Sequence, residues 1–384
     1  MTSSDHRGVV FAEACAAMAT FGSSLALLGT LLGFPEMRAR LHADLMHQGE
    51  LSSLLIAGLW LATVLTGPLI DRFGNRLVLS VSSFLAALAF LSFLRVDSFM
   101  LAAAAGFALG FGGGGLNTSA NAVVSELYHE KRGSMLNLLG ITLGMGGIAV
   151  PLLAARVSLS AAIFSAGGLA TFSGVACLLL KFPPATEAEG FSVREAARVI
   201  TYPGVLLFSF LLFFESANEQ VMNTFTSTWA GAAGATARGA TFILAGYQLC
   251  IALGRILAAR LLIVVSKERI VLCSGCGAVM GTAMLFWRQD VTGIALSVLI
   301  TGISLSAVFP TMLAMAGDRY RRFAGTIFGT LFAISLVGAA AAPAAVGALG
   351  KNFGVHFGTV VPLIGAVTET LLVIAVIRSA RTRV

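Results

Sequence analysis

Glu215, Glu219 and Asn223 stand at four-residue intervals inside an apolar stretch, so a helix through them carries two carboxylates and an amide along one face. Two carboxyls one turn apart and away from water repel when both are charged, which suits the pair to binding an exchangeable proton. Asn117 and Asn121 repeat the interval in another apolar stretch, with Ser125 one turn on. Asn137 and the Tyr247-Gln248 pair are further polar groups in hydrophobic runs. An amide both donates and accepts, so such a set suits a hydroxyl-rich small molecule. The bland counterpart is a ladder of hydrogen bonds between helices, with the acids protonated and Asn137 used only in packing. No phosphate cradle, metal-ligand cluster or catalytic constellation accompanies these residues. Neither a cofactor nor a metal is expected, and no enzymatic activity.

The setting gives these groups their weight. The chain has 384 residues, of which 57% are hydrophobic and 11% charged, with a mean hydropathy of +0.90. Soluble domains carry about 25% charged residues, so a water-facing fold is excluded, and so is disorder, which needs low hydrophobicity. A net charge of +7 raises nucleic acid as a partner. The basic residues, however, fall in twos and threes between apolar runs, as membrane proteins arrange them. The expected partners are therefore the lipid bilayer and a small molecule, not nucleic acid. All five cysteines lie in apolar segments and read as packing residues, the Cys273-x-x-Cys276 pair included.

A helix needs about 20 apolar residues to cross a bilayer. Twelve runs qualify, near 9–33, 50–70, 77–95, 98–124, 134–155, 158–180, 203–230, 239–263, 270–287, 292–315, 325–348 and 357–378. The fold class is an all-α membrane protein with twelve transmembrane helices in two six-helix bundles. The most polar stretch, 181–202, is read as a cytoplasmic linker between an N-terminal bundle at 1–180 and a C-terminal bundle at 203–384. Pro183-Pro184 stops the sixth helix, and 191–200 has the spacing of a surface helix. The first run is too long for a cleaved signal peptide and reads as a span. With both termini cytoplasmic, 17 of the 25 basic residues fall inside and seven outside, leaving Arg255 within a helix. This points to a multi-pass protein of the bacterial cytoplasmic (inner) membrane, acting as a monomer.

Ionisable groups within hydrocarbon cost about 2.5–3.5 kcal/mol on insertion scales, so each needs a reason. Glu13 reads as structural, and Glu369 as the partner of a neighbouring helix. Arg255 is open between a structural clamp and a pathway residue. Glu215 lies about 18 Å along its helix from Pro203, near the bilayer midplane, where transport sites sit.

Two matches show an internal repeat. NRLVLSV at 75–81 pairs with ERIVLCS at 268–274, and ELYHEKRG at 126–133 pairs with DRYRRFAG at 318–325, at offsets of 193 and 192 residues. Between the second and third spans lies Gly67-Pro68-Leu69-Ile70-Asp71-Arg72-Phe73-Gly74-Asn75-Arg76. This loop resembles the signature loop of the major facilitator superfamily. The resemblance implies a gating loop at Gly67, Asp71, Arg72, Gly74 and Arg76. In it Gly67 permits close helix approach, Gly74 makes a turn, and Asp71 latches one state through a charge-assisted hydrogen bond. The second half lacks the pattern, with Val264 opposite Asp71 and Lys267 opposite Gly74.

The stretches GFGGGGLNTSANAVVSELY at 110–128, ESANE at 215–219, GYQLCIALGR at 246–255 and GISLSAVFPTMLAMAGDR at 302–319 are similar to the fucose–proton symporter family of sugar porters. That resemblance implies a secondary transporter of a sugar or polyol, with alternating access, symport, and a proton or sodium ion as coupling ion. The membrane acids of that family fall on Gly29 and Asn117 here, so its proton scheme does not carry over. Glu219 is the first choice for any proton coupling. The alternative function is an exporter or flippase of an amphipathic drug, glycolipid or metabolite. The 27 phenylalanines would suit it.

Overall fold

Apolar runs bounded by serine, threonine, aspartate and proline become helices throughout. Ser98, Ser158, Thr236 and Asp290 each accept a hydrogen bond from a first-turn N–H, satisfying donors a helix start leaves unpaired. A computed structural model describes residues 3–128, 131–182, 202–320 and 324–381. The helices are α1 (Ser3–Leu32), α2 (Pro35–Arg40), α3 (Leu45–Ser92), α4 (Phe99–Leu127), α5 (Arg132–Arg156), α6 (Leu159–Leu179) and α7 (Pro203–Ala232). They continue as α8 (Ala237–Leu261), α9 (Lys267–Trp287), α10 (Val291–Leu305), α11 (Val308–Arg319), α12 (Ala324–Phe353) and α13 (Val360–Arg381), the last preceded by a 3-10 turn at Val355–Thr359. Among the described residues there is no strand.

Among the described residues, eleven helical stretches are long and apolar enough to cross a membrane. One of them, α3, has 48 residues. At 1.5 Å per residue that is about 72 Å, more than twice a hydrocarbon core of about 30 Å. Gly74 breaks it with φ 78° and ψ 157°, a conformation that glycine adopts without steric cost. The expected all-α fold of twelve crossings is therefore present, with the turn between the second and third at the expected glycine.

Three details differ from the sequence reading. The second span starts at Leu45, not 50, because Asp44 caps it: the His47 N–H donates to Asp44 Oδ1 at 2.9 Å. The loop before it holds the short α2. The tenth span is broken at Ser306–Ala307, where Pro310 has no N–H to offer the Ser306 carbonyl. The linker, with its expected surface helix at 191–200, lies outside the described residues except at its two ends.

The chain forms two compact units: Met1–Ala43 with Leu54–Ala188, and Asp44–Ser53 with Glu189–Val384. The first residues of α3 thus belong to the second unit. In the first, α1 packs against α4, α5 and α6. Backbones touch where side chains are missing: a Cβ on Gly110 would strike the Leu55 carbonyl, and one on Gly146 the Ala19 carbonyl. The glycine-rich run of α4 is thereby a packing surface, as small residues in membrane helices commonly are. In the second unit α7 is the central element, packed against α12 and α13 around Phe208, Leu211, Leu212, Leu331 and Val373, and against α8 around Val221, Phe225, Leu244 and Tyr247.

The repeat is visible in equivalent contacts. Asn75 donates to Glu126 Oε2 at 3.2 Å in the first unit, and Lys267 pairs with Asp318 at 2.5 Å in the second. Each pair is 51 residues apart; Glu126 and Asp318 are equivalent at the 192-residue offset, while Lys267 stands one position before the residue aligned with Asn75.

Candidate functional site

The polar face of α7 comes together as its spacing implies, all within the second unit. Glu215 is 1% exposed and accepts a hydrogen bond from Ser216 Oγ at 3.1 Å. Glu219, one turn on, is about a third exposed, and Arg255 of α8 places Nη2 4.0 Å from its Oε1. Arg255, Glu219 and Glu369 all lie within electrostatic reach of Glu215. A third turn brings Asn223, whose Oδ1 accepts from Gln248 Nε2 at 2.7 Å. The Tyr247 hydroxyl points at the Glu219 carbonyl from 3.5 Å and is buried. Five expected residues therefore share one polar cluster, and Arg255 joins it as the counter-ion.

A third acid packs against α7 from α13. Glu369 of α13 is wholly buried and accepts from Asn218 Nδ2 at 3.3 Å. This is the neighbouring-helix pairing expected of it. Glu13 likewise pairs across helices, accepting from Ser173 Oγ and from Cys177 Sγ at 3.3 Å.

In the first unit, Asn121 Nδ2 donates to both the carbonyl and Oδ1 of Asn117, at 2.8 and 3.0 Å. Among the described residues this leaves Asn117 Nδ2 and Asn121 Oδ1 unengaged, one donor and one acceptor on a half-buried face of α4. Asn137 is exposed on α5 and hydrogen-bonds neither.

The loop at 67–76 departs from expectation at Gly67, and the expected latch of Asp71 is not formed in this conformation among the described residues. Among the described residues nothing lies within 4 Å of a Cβ built on Gly67, so no described helix meets it at that position. Asp71 is exposed and, among the described residues, makes no ion pair or hydrogen bond. The loop is held by its neighbours instead. Asn75 bonds Glu126, Arg76 donates to the Leu178 carbonyl at the end of α6, and Arg72 lies over the Phe73 ring.

A model of the Major Facilitator Superfamily matches residues 14–217, more than half of the chain. The chain belongs to the Major Facilitator Superfamily. That places it among membrane transporters and not among enzymes. It is 31% identical over 117 residues to the "Putative metabolite transport protein YncC" of Bacillus subtilis (strain 168), a match covering 30% of this chain and 25% of that protein. The match thus spans about a quarter of that relative's length.

Similarity of fold extends over nearly the whole molecule. The nucleoside transporter NupG superposes with a TM-score of 0.78 at 13% identity, covering 98% of this chain and 99% of that one. A bacterial homologue of the human lysosomal transporter Spinster, in an inward-facing and unoccupied conformation, gives 0.82 at 13% identity, covering 97% of each chain.

Some of this superfamily member's polar groups escaped sequence reasoning. Gln220 Nε2 donates to Ser52 Oγ, the Ser52 and Thr224 hydroxyls bond each other, and Thr228 Oγ1 donates to Gln48, each at 2.8 Å. These fix the start of α3 to α7 within the second unit. Gln48 and Ser52 also follow the four-residue interval, the signal that could have found them.

Proposed function

We propose that the chain is a secondary transporter of a small polar solute, a sugar or polyol, working by alternating access with a proton as coupling ion. The observation that carries this is Arg255 at 4.0 Å from Glu219, with buried Glu215 one turn away. Two carboxylates and one guanidinium are neutral when one proton is bound. That proton removes the charge holding Arg255 and frees the guanidinium to donate to a ligand hydroxyl. Loss of the proton restores the pair and weakens the ligand's hold. Asn223 and Gln248 beside it offer further donors and acceptors, and the Asn117–Asn121 pair offers the same chemistry in the first unit. A carboxylate cluster also accepts sodium, which makes that ion the competitor to test.

In this reading the protein is a monomer of a bacterial cytoplasmic membrane with both termini cytoplasmic, as the bias of basic residues favours. Asp71, which has no hydrogen bond or ion pair in this conformation among the described residues, engages in another state of the cycle. The test is a thermal-shift panel on the purified protein: sugars, polyols and nucleosides beside hydrophobic cations and glycolipids. Stabilisation by a polyhydroxyl compound, lost in Asn223→Ala, is expected. Stabilisation by hydrophobic cations or glycolipids alone would instead favour export of an amphipathic molecule.

A further inference from the structure

Where α1 meets α6 in the first unit, a cleft of about 370 Å³ opens, a volume within the range of small-ligand sites, roughly 300–1,000 Å³. Val9, Ala16, Phe172, Val175 and Leu179 are among its walls. Phe172 and Leu179 are 66% and 79% exposed, so the cleft lies on the unit's outer apolar face, which in a membrane meets lipid tails. One charged side chain lines it, Glu13, which is only 5% exposed.

The two oxygens of Glu13 are treated differently. Ser173 Oγ and Cys177 Sγ, one turn apart on α6, both donate to Oε1. Oε2 has no hydrogen-bond partner among the described residues. Two donors converging on one oxygen are what a carboxylate accepts, and they fix its orientation toward the cleft. A carboxylate oxygen left without a partner in apolar surroundings is costly, and either a proton or a bound cation relieves it. No wall residue other than Glu13 has a side-chain polar group. A phosphate adjoining the cation would therefore be buried without a donor, which argues against a phospholipid headgroup. Apolar walls lie on both sides of Glu13 along α1, from Val9 to Ala16, so the occupant must carry hydrocarbon next to its charge.

We propose that this cleft binds an amphipathic amine with a single apolar chain, its ammonium donating to Glu13 Oε2 and its chain lying along Phe172, Val175 and Leu179. The site is separate from the polar cluster on α7 and is reached from the membrane.

Equilibrium binding of radiolabelled decylamine, decanol and decanoate to the full-length protein in nanodiscs tests it. Saturable decylamine binding is expected, at least tenfold tighter than that of decanol, with decanoate excluded. Glu13→Gln should reduce decylamine to the decanol level. Ala16→Phe, which fills the cleft and leaves Glu13 in place, should abolish saturable binding and keeps the test open if Glu13→Gln does not fold. Equal binding of amine and alcohol, unchanged binding in Ala16→Phe, or displacement of decylamine by phosphatidylethanolamine but not by other amines would each overturn the proposal.

Discussion

Arg255 Nη2 lies 4.0 Å from Glu219 Oε1, and the buried Glu215 stands one helical turn before Glu219 on α7. One guanidinium thus faces two carboxylates in the interior of a membrane helix bundle. Removing the cation leaves two acids one helical turn apart, one of them buried, with no counter-charge. Removing one acid as well restores balance.

Arg255→Gln should therefore lower the melting temperature of the purified protein, and the added Glu219→Gln change should recover part of the loss. The interaction energy from the double-mutant cycle is expected at about 0.5–3 kcal/mol. Strictly additive effects would mean that the two side chains do not act as a pair.

Backbone contact in the first unit gives a sharper structural expectation. A Cβ on Gly110 collides with the Leu55 carbonyl, whereas Gly168 on α6 has nothing within 4 Å. Gly110→Leu should abolish the monodisperse folded protein by size exclusion, and Gly168→Leu should leave yield and melting temperature unchanged. Folded Gly110→Leu protein would contradict the close approach of α3 and α4.

The crossings, the positive-φ turn at Gly74 and the polar face of α7 were legible because each is written in local spacing: apolar length, a turn glycine, a four-residue interval. The partners of those residues were not. Gln220 and Ser52 are 168 residues apart, and nothing local to either announces the other. Gly67 shows the opposite error, since a glycine permits close packing without saying that a neighbour comes. The early start of α3 was hidden by its polar first turn, LMHQGE. Only the Asp44 cap, a side-chain geometry, reveals it.

Asp44 also carries a pH signature. Burial alone would raise its pKa. The His47 N–H, the hydrogen bond and charge of Lys351 at 3.0 Å, and the His47 charge outweigh that and bring it below the usual aspartate value. A depressed folded pKa contributes stability above the unfolded value of about 3.9, lost as pH falls through the folded one. The pair is 39–49% exposed, so screening keeps its worth near 0.2–1 kcal/mol, about 1–3 °C. Asp44→Asn should thus melt earlier than the parent at pH 5 to 7, with the gap closing below about pH 4. A gap that widens on acidification would contradict this.

Asp71 is exposed and makes no hydrogen bond or ion pair in this conformation among the described residues, so Asp71→Asn should leave the melting temperature unchanged. If the side chain latches another state, transport should nevertheless fall several-fold at equal protein level. Full transport by the variant would remove Asp71 from the gating scheme.

Proton-driven uptake into proteoliposomes tests the central claim, that Glu219 carries the coupling proton. Once the panel has supplied a substrate, the parent, Glu219→Gln and Glu215→Gln are compared with an inward proton gradient, and with a sodium gradient in its place. Glutamine keeps the shape of a protonated glutamate. Glu219→Gln is therefore expected to lose gradient-driven accumulation while retaining substrate binding and exchange, and Glu215→Gln to show the smaller loss. Accumulation by Glu219→Gln that still follows the pH gradient, or accumulation by the parent with sodium alone, would contradict the account.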